Sequence, residues 1–167
     1  MKKLILLLLV VFNVTFIQAQ ENSKVYEKDS IYKVIEQWHA AATNANFEEY
    51  FGLMTEDGVF IGTDATENWQ NKEFRAFAKP YFDQGKAWSF STIERNIYTS
   101  DSNNTAWFDE LLNTQMGICR GSGVLVNQDG AWKIKHYVLS IAIPNSNVSE
   151  VTQLKKEFDS IYIATHQ

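Results

Sequence analysis

The spacing of apolar residues divides the chain into a helical first half and a strand-forming second half. Ile31, Val34, Ile35, Trp38, Ala41 and Ala42 recur at helical spacing and make one apolar stripe, with Asp29 or Ser30 placed to cap its start. Asn46 opens a second, short helix, with Glu49 three residues on as a capping-box partner and Phe47, Tyr50, Phe51 and Met54 as its apolar face. Asp57-Gly58 is read as its stop, and Val59-Phe60-Ile61 as a strand that ends at Gly62-Thr63-Asp64. A third helix carries Phe74, Phe77, Ala78, Tyr81 and Phe82 on one face. Pro80 kinks it or marks its last turn, and Gly85 closes it.

From Trp88 onward the period falls to two. Residues 88–98, 105–115 and 118–127 alternate, separated by the turn-rich Ser100-Asp101-Ser102-Asn103-Asn104 and by Gly117. Asn127-Gln128-Asp129-Gly130 is a strong hairpin signal and leads into a strand from Trp132 to Ile143. Pro144-Asn145 ends it, and Asn147 with Glu150 caps a last helix whose stripe is Val148, Val151, Leu154, Phe158 and Ile161. Helices followed by a four-stranded meander predict an α+β domain, its helices packed on one face of a bent antiparallel sheet.

Ahead of this pattern, residues 1–19 read as a secretory signal. Lys2 and Lys3 form the basic start, Leu4 to Phe12 the apolar run, and Ala19 the small residue at the cleavage point. The run is shorter than the roughly 20 residues a spanning helix needs. The chain is therefore expected to be exported, periplasmic or secreted, with no membrane segment after cleavage. Residues 20–28 form a polar leader, 29–145 the domain and 146–167 the C-terminal helix.

Composition narrows the partners. The net charge of −5 becomes more negative once Lys2 and Lys3 are removed, and no basic stripe is present, so nucleic acid is not an expected partner. Aromatic residues at 14% suit a large core or an aromatic-lined cavity. Cys119 stands alone, which excludes an intrachain disulfide and reads as a small buried hydrophobe on a strand.

Four segments resemble one family. Phe60-Ile61-Gly62-Thr63-Asp64-Ala65-Thr66-Glu67, Ala106-Trp107-Phe108-Asp109-Glu110, Arg120-Gly121-Ser122-Gly123-Val124-Leu125, and Trp132-Lys133-Ile134 with Leu139-Ser140 look like those of SnoaL-like proteins of the nuclear transport factor 2-like superfamily. The resemblance runs from about Asp29 to Asn145. It implies a cone of strongly curved antiparallel sheet, capped by the long first helix and enclosing a pocket. Such domains commonly dimerise through the open sheet face. The superfamily contains isomerases, cyclases, dehydratases, transport adaptors and proteins without an assigned activity, so the fold does not select the function.

Alternation then sorts polar residues by face. Trp132, Ile134, His136, Val138 and Ser140 share one face of the last strand and Lys133, Lys135 and Tyr137 the other, which turns His136 and Ser140 inward. Arg120 and Ser122 share a face on the strand before, and Trp107 and Asp109 on the one before that. The expected pocket lining is Asp109 or Glu110, Arg120, Ser122, His136 and Ser140 set among Trp38, Trp69, Trp88 and Trp107. Within it Asp109 and His136 are the catalytic candidates, since a carboxylate near His and Arg can serve as general base. The competing account is a structural Arg–carboxylate pair between strands, with His136 satisfied by a hydrogen bond.

Asp64 and Glu67 fall at the pocket mouth, where helix capping accounts for both. Gly121 and Gly123 lie within a strand, so they mark bends and close approaches and not a phosphate loop. His39, His136 and His166 are too far apart in sequence to suggest a metal site, and no cofactor is expected. Three functions stand: binding of a small apolar or aromatic molecule, cofactor-free acid–base catalysis of isomerase, dehydratase or cyclase type, and an interaction module using the sheet face or the last helix.

Overall fold

The computed structural model describes residues 27–166, so the export signal read over 1–19 and residues 20–26 of the leader lie outside it. The first helix, α1, covers 27–43 of the described residues. Ser30 therefore does not cap it; its hydroxyl donates back to the Glu27 carbonyl at 2.7 Å. The apolar stripe is as read, with Ile31, Ile35, Trp38, Ala41 and Ala42 all buried. Helix α2 (Phe47–Gly52) has Asn46 at its N-cap, where the Glu49 N–H donates to Asn46 Oδ1 at 3.3 Å and Asn46 Nδ2 donates to Glu49 Oε2 at 2.8 Å.

Strand β1 (Met54–Ile61) begins earlier than Asp57-Gly58 suggests. Met54 and Thr55 are buried, and the Ile134 N–H donates to the Leu53 carbonyl at 2.8 Å, so tertiary pairing overrides the local turn signal. Strand β2 (Asn68–Gln70) is too short to announce itself by alternation; it pairs antiparallel with β1. Helix α3 (Asn71–Asp83) follows, opened by a Gln70–Glu73 capping box, with Pro80 in its last turn and Gly85 at φ +67° closing it.

The meander is present as β3 (Phe90–Thr99), β4 (Thr105–Thr114), β5 (Gly117–Gln128) and β6 (Ala131–Ile141). With β1 and β2 it makes one six-stranded sheet in the order β2-β1-β6-β5-β4-β3, antiparallel except where β1 lies parallel to β6. α1, α2 and α3 supply side chains to the core on its inner face. The fold class is therefore the one expected, α+β with helices on a curved sheet.

Two register slips shape that sheet. Between β3 and β4 the partners jump from Thr92↔Leu112 to Glu94↔Leu111, leaving Ile93 as the extra residue. Between β5 and β6 they jump from Leu125↔Ile134 to Val124↔His136, leaving Lys135 as the extra residue. A bulge of one residue swaps the faces of everything beyond it. Trp132 and Ile134 face the core before the second slip, whereas Tyr137 and Leu139 do so after it. Lys135 turns outward and forms an ion pair with Asp57.

The core is largely aromatic. Trp38 stacks on Tyr50 at 4.9 Å between ring centres and meets Tyr137 edge-on at 4.8 Å, while Phe60 stacks on Phe74 at 4.2 Å. After a 3₁₀ turn at Asn145–Asn147, α4 (Val148–His166) follows and contributes no buried side chain to the core. Leu154 and Ile161 of its apolar stripe are exposed, and Tyr162 donates its hydroxyl to the Ala65 carbonyl at 3.0 Å.

Gly121 is the tightest of the glycines within the strands: a Cβ there would overlap the Tyr137 hydroxyl and come within 2.9 Å of Glu110 Oε1. Gly52, at the end of α2, has open space instead. Gly121→Ala is expected to lower stability by about 2 kcal/mol, whereas Gly52→Ala should be neutral or stabilising by about 0.5 kcal/mol. Urea unfolding of the two variants checks this, and equal midpoints would refute the crowding at Gly121.

Candidate functional site

Two polar or aromatic assemblies sit inside the sheet, and they are separate. The first surrounds Glu110. On β4 the buried phase is Ala106, Phe108, Glu110 and Leu112, so Glu110 points into the core with its side chain fully buried. His39 of α1 donates from Nε2 to Glu110 Oε1 at 2.8 Å, and the Tyr137 hydroxyl donates to the same oxygen at 2.9 Å. Arg95 of β3 donates from Nε at 2.8 Å and from Nη2 at 2.7 Å to Oε2. The Arg95 guanidinium, itself buried, also reaches Glu36 Oε1 at 2.6 Å and Thr92 Oγ1 at 2.8 Å.

The electrostatics follow from this geometry. Burial alone would raise the Glu110 pKa, but the His39 hydrogen bond and charge, together with Arg95, outweigh it and hold the carboxyl below its ordinary value near 4.5. Burial pushes the Tyr137 phenol well above its usual range, and the neighbouring Glu110 charge adds to the shift, so Tyr137 stays a neutral donor. A carboxylate with both oxygens doubly occupied and a lowered pKa is a poor general base. Its chemistry here is to tie α1, β3 and β6 to β4.

The second assembly is a cavity of about 130 Å³ at the other end of the same core. β1 contributes Phe60, the loop after it Gly62, Thr63 and Glu67, β2 Trp69, and α3 Phe74 and Phe77. Trp88 and Phe90 close it from the start of β3, Gln115 and Met116 from the β4–β5 turn, and Leu139 from β6. Its walls are stacked rings: Trp69 on Phe77 at 4.9 Å, and Phe74 on both Phe60 and Trp88 at 4.2 and 5.6 Å. One aromatic layer separates it from the Glu110 cluster. Phe90 lines the cavity and meets His39 edge-on at 5.6 Å; Phe60 lines it and stacks on Tyr137 at 5.6 Å.

Of the residues read as pocket lining, Trp69 and Trp88 line the cavity, and Trp38 is in the core beneath it. The others need correction. Trp107 and Asp109 lie on the outer face of β4, where Trp107 is 47% exposed and Asp109 accepts from Asn96 Nδ2 at 3.1 Å. Arg120 and Ser122 lie on the outer face of β5, because the small or apolar Cys119, Gly121, Gly123 and Leu125 take the inner one. His136 and Ser140 lie on the outer face of β6 because the bulge at Lys135 reverses the phase that placed them inside. Of the two carboxylates weighed on β4, it is Glu110 that enters.

Sequence reasoning gave no role in a cluster to Arg95, Tyr137 or His39. Arg95 and Tyr137 both lie just beyond a bulge, which strict alternation cannot register. The available signal was Gly121 and Gly123: two glycines at period two mark the strand face where large side chains from neighbouring strands converge. Among the described residues no group of three or more His, Cys, Asp or Glu is placed to hold a metal ion.

Comparison with known proteins adds the following. A sequence model described as a SnoaL-like domain matches residues 31–144. No curated protein matches. Among solved structures, an NTF2-like protein of unknown function from Pseudomonas putida superposes with a TM-score of 0.61 at 14% identity, covering 74% of this chain and 92% of that one. An NTF2-like protein from Cytophaga hutchinsonii gives 0.59 at 18%, covering 69% and 98%. The association domain of C. elegans CaMKII gives 0.60 at 19%, covering 72% and 99%. At such identities the likeness is one of fold.

Glu110→Gln keeps the shape but leaves Arg95 short of a buried countercharge, and is expected to cost about 3 kcal/mol at pH 7. Because the folded-state pKa of Glu110 is lowered, its stabilisation is complete above about 4.5 and disappears as pH falls through the folded value. The gap between wild type and variant in urea unfolding should therefore narrow from pH 5 towards 3. A gap that stays constant over that range would contradict the assignment.

Proposed function

The chain belongs to the SnoaL-like domain family, whose fold does not by itself select an activity, and we propose that it binds a small apolar or aromatic molecule in the ring-lined cavity. The observation that carries this reading is the division between cavity and carboxylate. Six aromatic side chains surround about 130 Å³, and the buried Glu110 that an acid–base enzyme would use is walled off behind Phe60 and Phe90 with its hydrogen bonds complete. An apolar cavity of about 150 Å³ is enough to hold benzene, so the size fits a single substituted ring or a compact aliphatic group. The basic and apolar residues of 1–19, ending at Ala19, support export of the mature protein before it meets that ligand.

A second reading concerns assembly. The outer face of the sheet presents Tyr98 and Trp107, stacked at 5.9 Å and both more than 40% exposed. An exposed aromatic pair on a sheet face favours a homodimer built on that face.

Thermal melting against p-cresol, indole and toluene tests the first reading. Saturating probe at about a hundred times its dissociation constant adds about 2.7 kcal/mol, so the midpoint should rise by several degrees. Phe77→Ala, which removes one partly exposed wall, should weaken binding about tenfold or more with little change in the unliganded midpoint. Absence of any shift, or full retention of binding by Phe77→Ala, would defeat the reading. Assembly is tested by sedimentation: the wild type should run as a dimer and Trp107→Glu as a folded monomer with an unchanged circular dichroism spectrum, and a monomeric wild type would refute the dimer.

A further inference from the structure

Resting on the cavity reading above, we propose that the ligand is a small organic cation, an ammonium on an apolar or aromatic body, with its charge seated against Glu67 at the cavity mouth. Among the residues that line the cavity Glu67 alone is ionisable. Its position is built and not incidental. Gly62 has no side chain, and the Glu67 carboxylate lies over its Cα in the space a Cβ would take. The loop fixes it there: Gly62 N–H donates to the Glu67 carbonyl at 2.9 Å, Glu67 N–H to the Asp64 carbonyl at 3.0 Å, and Asp64 N–H to Glu67 Oε2 at 3.2 Å.

The neighbouring acid is differently employed. Asp64 Oδ1 accepts from the Thr66 N–H at 2.9 Å and the Thr66 hydroxyl at 2.6 Å, which turns its carboxylate into its own loop. Among the described residues no Lys, Arg or His forms an ion pair with Glu67. Lys86 belongs to an adjoining groove that shares Phe77, Trp88 and Gln115 and does not line the cavity. A half-buried carboxylate without a countercharge, facing a cavity walled by rings, favours a cation on two counts. The carboxylate attracts it directly, and the negative ring faces attract it through the aromatic quadrupole. The acidic chain as a whole also steers cations in preference to anions.

Benzylamine, benzyl alcohol and benzoate share one body and differ in charge, and titrating each while following the indole N–H resonances of Trp69 and Trp88 tests the proposal. Wild-type protein should bind benzylamine at least about tenfold more tightly than benzyl alcohol, and benzoate most weakly. Glu67→Gln should abolish the preference and leave benzyl alcohol affinity as it was; Gly62→Ala, which displaces the carboxylate, should reduce the preference too. If benzyl alcohol binds but benzylamine gains nothing over it, or Glu67→Gln keeps the preference, the cation assignment is overturned and the cavity reading stands. If benzoate binds most tightly, the assignment is likewise overturned. If none of the three shifts the indole signals, both fail.

Discussion

A carboxylate with both oxygens doubly hydrogen-bonded sits at the centre of the domain, and three other elements are held to it. Burying the Glu110 charge is unfavourable unless every lone pair is met, and the donors come from different parts of the chain: His39 from α1, Arg95 from β3 and Tyr137 from β6. The two sheet bulges have the same purpose. With Ile93 and Lys135 as extra residues, Arg95 and Tyr137 turn inward; without them both side chains would face outward and the buried Glu110 would keep only His39 as a partner. Gly121 completes the arrangement by giving the Tyr137 hydroxyl room to reach the carboxylate.

The same clamp organises what lies around it. Trp38 packs against Tyr137 and carries Tyr50 stacked on it, Phe60 stacks between Tyr137 and Phe74, and Phe90 rests on His39, so the aromatic core is layered outward from the ion cluster to the cavity. The binding proposal rests on this layering. The charged group with the least solvent is engaged in structure, and the space available to a ligand is apolar apart from its rim.

The helical half of the chain was largely legible, because each stripe of apolar residues is local and its caps carry recognisable side chains, as at Asn46 and Glu49. The four long strands and their hairpin turns were legible for the same reason, and four segments sufficed to indicate the family. What failed was the phase of the strands. On β4 the two faces are close to balanced, Trp107 and Leu111 against Phe108 and Leu112, so composition could not choose between Asp109 and Glu110. On β6 the slip falls between Ile134 and His136, at Lys135, and the two adjacent polar residues give no hint of an extra position. Orientation there is fixed by partners far away in sequence, and a single strand does not contain that information. Trp69 and Trp88, two of the rings read as pocket lining, are walls of the cavity, and further rings come from α3 and β1, elements that their own sequence reads only as core.

Phe60 and Phe90 stand between the cavity and the ion cluster, each touching both. The far wall, made by Thr63, Phe77, Gln115 and Met116, meets no charged residue of the core. Substitutions on that side reshape what the cavity can hold while the network that sets strand register is left intact. The two demands on the sequence, to fold and to discriminate, are thereby assigned to opposite sides of one sheet of rings. A lineage carrying this arrangement is free to reshape the cavity by drift in the outer wall, with the inner one kept as the fixed boundary.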